Sequence, residues 1–161
     1  MAGKLVGLNL LDEFEVYAIE PRGSEVEKKH VDTKWEIAMR AGALKCRLVG
    51  REFKSLEDRD DLFAPGSTAS TGRMVDIMAM KDDDDPGDPL VTIIGDCISA
   101  YYQTPETEEF YADPPPEWLA ARRANGQDTD VVWRLQKQLP GRRAAGKRWI
   151  VLRREVCRAR S

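Results

Sequence analysis

The sequence predicts an α+β fold, and three features carry that reading. Segments of strand character (Lys45–Val49, Leu90–Gly95, Val131–Leu135) are scattered along the chain. Two others place apolar residues at helical spacing. The two kinds follow one another without the strict alternation of a parallel βαβ fold.

Taken in order, Glu15 to Ile19 reads as a short strand or helix end closed by Pro21-Arg22-Gly23, a turn signal. Val31 to Ala38 and Ala43 to Arg51 flank Arg40-Ala41-Gly42, and Lys45-Cys46-Arg47-Leu48-Val49 alternates polar with apolar side chains. Two strands joined by a glycine-containing turn are expected there. After the acidic stretch Glu57 to Asp61, Ser70 or Thr71 is a candidate N-cap for a helix carrying Met74, Ile77, Met78 and Lys81. That helix is expected to end in Asp82 to Asp85, where negative charge opposes the helix dipole and marks a solvated loop. Leu90 to Gly95 reads as a buried strand that delivers Asp96 at its end, and Glu106 to Tyr111 as a further strand before Pro114-Pro115-Pro116. Trp118 to Arg123 is helical in composition and Asn125-Gly126 breaks it; Val131 to Leu135 is strand-like. Beyond Pro140-Gly141, Ala145, Trp149, Leu152 and Val156 recur on one helical face, with Arg142, Arg143, Lys147, Arg153 and Arg154 on the other.

Composition narrows the class. With 161 residues, 42% hydrophobic and 33% charged, the chain suits one ordinary globular domain. No apolar run approaches the roughly 20 residues of a membrane-spanning helix, and the N-terminus lacks the apolar core and cleavage site of a signal peptide. Cys46, Cys97 and Cys157 are widely spaced, which points to reduced thiols in an intracellular (cytoplasmic or nuclear) setting and away from a zinc site. His30 is the one histidine and reads as a solvated residue after Glu27-Lys28-Lys29. The net charge of −3 hides a division: residues 121–161 hold twelve Lys/Arg and three Asp/Glu, a local +9 against −12 in the remainder. Such an asymmetry suits a C-terminal part that meets polyanions, although a helix with a solvated basic face gives the same count.

Five segments in order resemble the reverse transcriptase domain of copia-type retrotransposons. Thr33-Lys34-Trp35 is similar to the family's Lys-Trp start of the fingers, and Lys45 to Arg51 resembles its KARLVAKG segment. Phe63-Ala64-Pro65 matches the FAP signature. Asp96-Cys97-Ile98-Ser99-Ala100-Tyr101 matches Asp-Val-x-x-Ala-aromatic and is followed by Glu108-Glu109-Phe110-Tyr111, like EEVYMEQP. Val132 to Leu139 is similar to VWKLKKALYG, with Trp149 downstream. The resemblance spans roughly Phe14 to Trp149.

What the resemblance implies is a partial right-hand polymerase: fingers over 14–90, the first palm strand region over 91–113, and a returning segment with a basic helix over 114–161. In that family two divalent ions activate the primer hydroxyl and clamp the triphosphate, so Asp96 is expected to be a catalytic Mg²⁺ ligand. Tyr101 falls on the aromatic position that blocks a ribose 2′-hydroxyl. Lys45, Arg47 and Arg51 fall where cationic side chains meet deoxynucleotide and template, and Arg142, Arg143 and Lys147 where the returning segment meets an RNA or DNA primer-template. Departures accompany the match. Pro140 and Gly146 stand where the family has Tyr and Pro, and Ile98-Ser99 where it usually has Lys-Thr. The family's Tyr-x-Asp-Asp hairpin has no counterpart after Trp149. One carboxylate does not hold two metal ions, so the expectation is a fragment of an RNA-directed DNA polymerase, inactive alone, with an exposed strand edge that favours self-association. The alternatives are a nucleic-acid-binding remnant and a degenerate copy without a catalytic role.

Overall fold

Alternation along Ala43–Arg51 is what a half-covered strand requires, and the computed structural model pairs that strand (β4) antiparallel with β3 (Asp32–Arg40) from Asp32↔Arg51 to Arg40↔Ala43. Gly42, at φ +74, supplies the left-handed backbone that a tight two-strand connection needs. The structure describes residues 2–40, 42–52, 69–81 and 97–159. The chain divides into two units, residues 1–63 with 99–161 and residues 64–98.

In the larger unit, an N-terminal helix α1 (Ala2–Glu13) lies against β4. Glycine inside a helix costs about 1 kcal/mol relative to alanine, yet Gly3 and Gly7 are what let α1 approach the hairpin. A Cβ at Gly3 would crowd Cys46 Sγ and the Leu44 carbonyl, and one at Gly7 would crowd the Trp35 ring. The second sheet is four-stranded, in the order β1 (Tyr17–Pro21), β6 (Val131–Leu135), β5 (Phe110–Ala112), β2 (Lys29–His30). Its pairs β1/β6 and β6/β5 are antiparallel, while β5/β2 is parallel. Pro21, which lacks a donor, sits on the edge strand, where a missing N–H is tolerated. Helix α3 (Pro116–Ala124) opens with proline at its first position, suited to a helix start, and α4 (Ala145–Arg158) follows the Pro140-Gly141 turn. A 3-10 turn, Ala100–Gln103, packs beside α4.

The core gathers Leu8 and Leu11 of α1, Val16, Leu48, Tyr102, Phe110, Trp118, Trp133, Leu135 and Leu139. At its centre Trp133 stacks on Tyr17 at 3.9 Å between ring centroids and meets Trp118 edge-on at 5.2 Å. Stacked and T-shaped geometries are the favoured ones for aromatic quadrupoles.

The architecture is therefore a mixture of helices with antiparallel and mixed sheets, as α+β implies. The strand expected at Glu106–Tyr111 is shorter and later, at Phe110–Ala112; before it, a single bridge pairs Pro105 with Lys137 and the Glu106 amide donates to the Gln136 carbonyl at 2.9 Å. In the smaller unit, the helix expected after Ser70 or Thr71 is α2 (Ala69–Lys81), with both residues inside its first turn. The segments at Phe63-Ala64-Pro65, Asp82 to Asp85 and Leu90 to Asp96 lie outside the described residues.

Candidate nucleic-acid interface

Side chains two apart on a strand share a face, so Lys45, Arg47 and Arg51 of β4 stand on the same side of the hairpin. All three are exposed, and their register partners on β3 are Ala38, Glu36 and Asp32. The opposite face holds Trp35, Cys46 and Leu48, toward which α1 packs. The hairpin thus presents one apolar face and one mainly ionic face, the latter interrupted by Val49, which is buried against Gly141.

Tyr101 and Tyr102 lie on the 3-10 turn, which begins at Ser99 in a left-handed conformation (φ +53). Tyr101 is half-buried and Tyr102 buried. Burial pushes the Tyr102 hydroxyl up to about 12, and the nearby Arg47 charge pulls against that shift. Arg47 is therefore within electrostatic reach of the turn that carries Tyr101 and Tyr102.

The third contributor is the Pro140-Gly141-Arg142-Arg143 segment. The Gly50 amide donates to the Pro140 carbonyl at 2.8 Å, and a Cβ at Gly141, φ +83, would overlap the Gly50 carbonyl oxygen. Only glycine allows the two backbones to cross here. Arg142 then turns inward. Its guanidinium lies 3.4 Å above the Phe110 ring, its Nε donates to Glu52 at 2.8 Å, and its Nη1 donates to Glu106 at 2.7 Å. Side-chain exposure is 1% for Arg142 and 0% for Glu106.

From Glu106 the ionic chain continues through Arg148, which pairs with both Glu106 and Glu108, to Lys29, 2.7 Å from Glu108. The Thr107 and Glu108 amides also donate to Glu106, at 2.9 and 3.1 Å. Glu52 accepts the Arg143 amide at 3.0 Å. Burial pushes the Glu52 carboxyl up, but the hydrogen bonds and charges of Arg142 and Arg143 outweigh it and hold the group below the usual carboxylate range.

Of the residues singled out from sequence, the structure sets the 140–143 segment against Gly50 of the strand that carries Arg47 and Arg51. Lys45 stands further along the same strand, toward the hairpin tip. Arg143 is half-buried and Lys147 exposed at the start of α4. Arg142 departs from the expected role of phosphate ligand: its guanidinium is desolvated and already engaged by two carboxylates, so it clamps the turn. Asp96 lies outside the described residues. Sequence reasoning missed Glu52, Glu106, Arg148 and Glu108 as a set; the one signal was the excess of arginine after residue 140, which needs acidic partners if any of it is buried.

Among the described residues no group of three His, Cys, Asp or Glu side chains is placed to hold a metal ion. The three cysteines are free thiols, two of them exposed. An open hollow of about 420 Å³ is lined by Leu11, Asp12, Glu15, Tyr17, Ile19 and Gln136, none of which belongs to the cationic surface. No helix among the described residues is long and apolar enough to cross a membrane.

No family model, no curated protein and no solved structure matches the chain.

Proposed function

We propose that this chain is the fingers and first palm portion of a copia-type reverse transcriptase, and that it holds an RNA or DNA primer-template rather than extending it. The reading rests on the resemblance in sequence. The observation that supports it best is that the Lys45–Arg51 strand and the Pro140–Arg143 segment, far apart in sequence, meet at Gly50 near the end of β4. Exposed cations on a strand face suit phosphate contacts, which dominate nucleic-acid affinity through counterion release.

The family's chemistry needs three carboxylates, and within these 161 residues the resemblance assigns one, Asp96. The proposal for these residues is therefore binding, with deoxynucleotides and Mg²⁺ left to the family's full set of carboxylates. Two assays test the reading on the 161-residue chain. Filter binding to a primer-template is expected to exceed that of a charge-matched peptide, and primer extension with Mg²⁺ is expected to yield no product. Affinity equal to the peptide sinks the binding reading, and robust synthesis sinks the claim of inactivity.

A further inference from the structure

Strand β1 forms one edge of the four-stranded sheet, and its ladder shows which of its backbone groups face outward. At the two ends of the β1/β6 pairing, the Arg22 amide donates to the Asp130 carbonyl at 3.1 Å and the Gln136 amide to the Val16 carbonyl at 2.8 Å. Hydrogen-bonded pairs alternate with unbonded ones in an antiparallel ladder. The bonded residues between those ends are therefore Ala18 and Glu20, opposite Arg134 and Val132. Tyr17 and Ile19 turn their N–H and C=O groups away from β6. No described residue donates to or accepts from those four groups.

The same two residues line the open hollow of about 420 Å³, together with Leu11, Asp12, Glu15 and Gln136, and Ile19 is 45% exposed. The carboxylates of the hollow come from the way α1 ends. The Val16 amide donates to the Leu11 carbonyl at 2.9 Å and the Glu15 amide to the Asp12 carbonyl at 3.1 Å. In this helix stop the left-handed position is usually glycine; here it is Glu15, at φ +51. Asp12 and Glu13 in the last turn, with Glu15 just beyond, set three negative charges at the end of the helix dipole that favours cations. No basic residue stands in that turn. Asp12 accepts from the Tyr17 hydroxyl, and among the described residues no cation pairs with Asp12 or Glu15.

We propose that β1 receives an extended basic peptide of a partner protein, added as a further strand on its open edge, with a lysine or arginine side chain in the hollow against Asp12 and Glu15. Strand addition draws affinity from main-chain hydrogen bonds and selectivity from the pockets that take alternate side chains. Here Tyr17 and Ile19 supply four main-chain groups, the hollow supplies the pocket, and its two carboxylates choose the sign of the charge. The same carboxylates repel a nucleic acid. None of these residues belongs to the primer-template surface, so the inference stands apart from the polymerase reading.

The test is fluorescence anisotropy of the full chain with labelled peptides of alternating valine and lysine, or alternating valine and glutamate. The basic peptide is expected to bind and the acidic one not. D12N/E15Q is expected to weaken the basic peptide about three- to tenfold, the scale of two exposed ion pairs. Both positions are exposed, so the circular dichroism spectrum is expected to stay unchanged. Removing two carboxylates elsewhere, E27Q/E155Q, is expected to leave the affinity in place. N-methylating every backbone nitrogen of the basic peptide keeps its charge and removes its donors; binding is expected to be lost with the protein itself unaltered. The proposal is overturned if the basic peptide does not bind, if the acidic peptide binds as well, or if D12N/E15Q binds like the parent. It is also overturned if E27Q/E155Q loses as much. A match to the parent affinity by the N-methylated peptide, or by lysine amide alone, makes the hollow a cation site and rejects strand addition.

Discussion

Arg142 and Tyr102 carry the sharpest consequences at the scale of single residues. Arg142 is almost wholly buried between Glu52, Glu106 and the Phe110 ring. Removing one member of a buried pair strands the other, at a cost of roughly 3–5 kcal/mol. Arg142→Ala is therefore expected to lower the free energy of unfolding in urea by about that amount. A loss below about 1 kcal/mol, the scale of a surface ion pair, contradicts the buried clamp. Glu52 sits in the same clamp with its folded-state pKa depressed. Its contribution is present above the unfolded carboxylate pKa and is lost as pH falls through the lower folded value. Glu52→Gln is expected to flatten that acid limb, seen in urea midpoints measured across acidic pH. Tyr102 has the opposite sign. Its folded pKa, pushed up to about 12, lies above the unfolded value of about 10. Its contribution is complete below about pH 10 and is lost as pH rises through the folded value. Tyr102→Phe is expected to remove that alkaline loss; an alkaline limb identical to the parent's would mean that burial of the hydroxyl is not what limits stability there.

At the scale of elements, the hairpin was the most legible part of the chain. Lys45, Arg47 and Arg51 alternate with Leu44, Cys46 and Leu48, and a period of two fixes both strand type and which side chains share a face. The Pro140-Gly141 break and the Ala145–Trp149–Leu152–Val156 stripe located α4 in the same way. Helix α1 was not legible, because Gly3 and Gly7 argue against a helix until the Trp35 and Cys46 side chains they accommodate are known. The hairpin also leaves apolar surface uncovered near its tip: Ile37, Met39 and Leu44, which lie on its apolar face, are exposed. Exposed apolar strands favour association. Sedimentation is expected to show concentration-dependent self-association that Ile37→Lys with Met39→Lys suppresses. A parent chain that stays monomeric at all accessible concentrations would contradict it.

For the whole molecule, the α+β class followed from local pattern, but the way the pieces meet did not. The parallel pairing of β2 with β5 joins Lys29 to Phe110, and the Glu52–Arg142–Glu106–Arg148 chain joins segments before and after the smaller unit. Neither leaves a periodic trace, because long-range ion pairs depend on where the backbone carries them. That is also why Arg142, Arg143 and Lys147 looked equivalent in sequence and differ in the fold: one is a buried clamp, one half-buried, one exposed. The candidate interface is thus narrower than the basic composition suggested, and its weight falls on the exposed cations of β4. The most direct measurement is the salt dependence of primer-template binding for K45Q/R47Q/R51Q against the parent chain. The triple variant is expected to show a slope smaller in magnitude by about 2–3, at about 0.9 per phosphate contact for duplex and somewhat less for single strands. An unchanged slope, with parent binding intact, would contradict it.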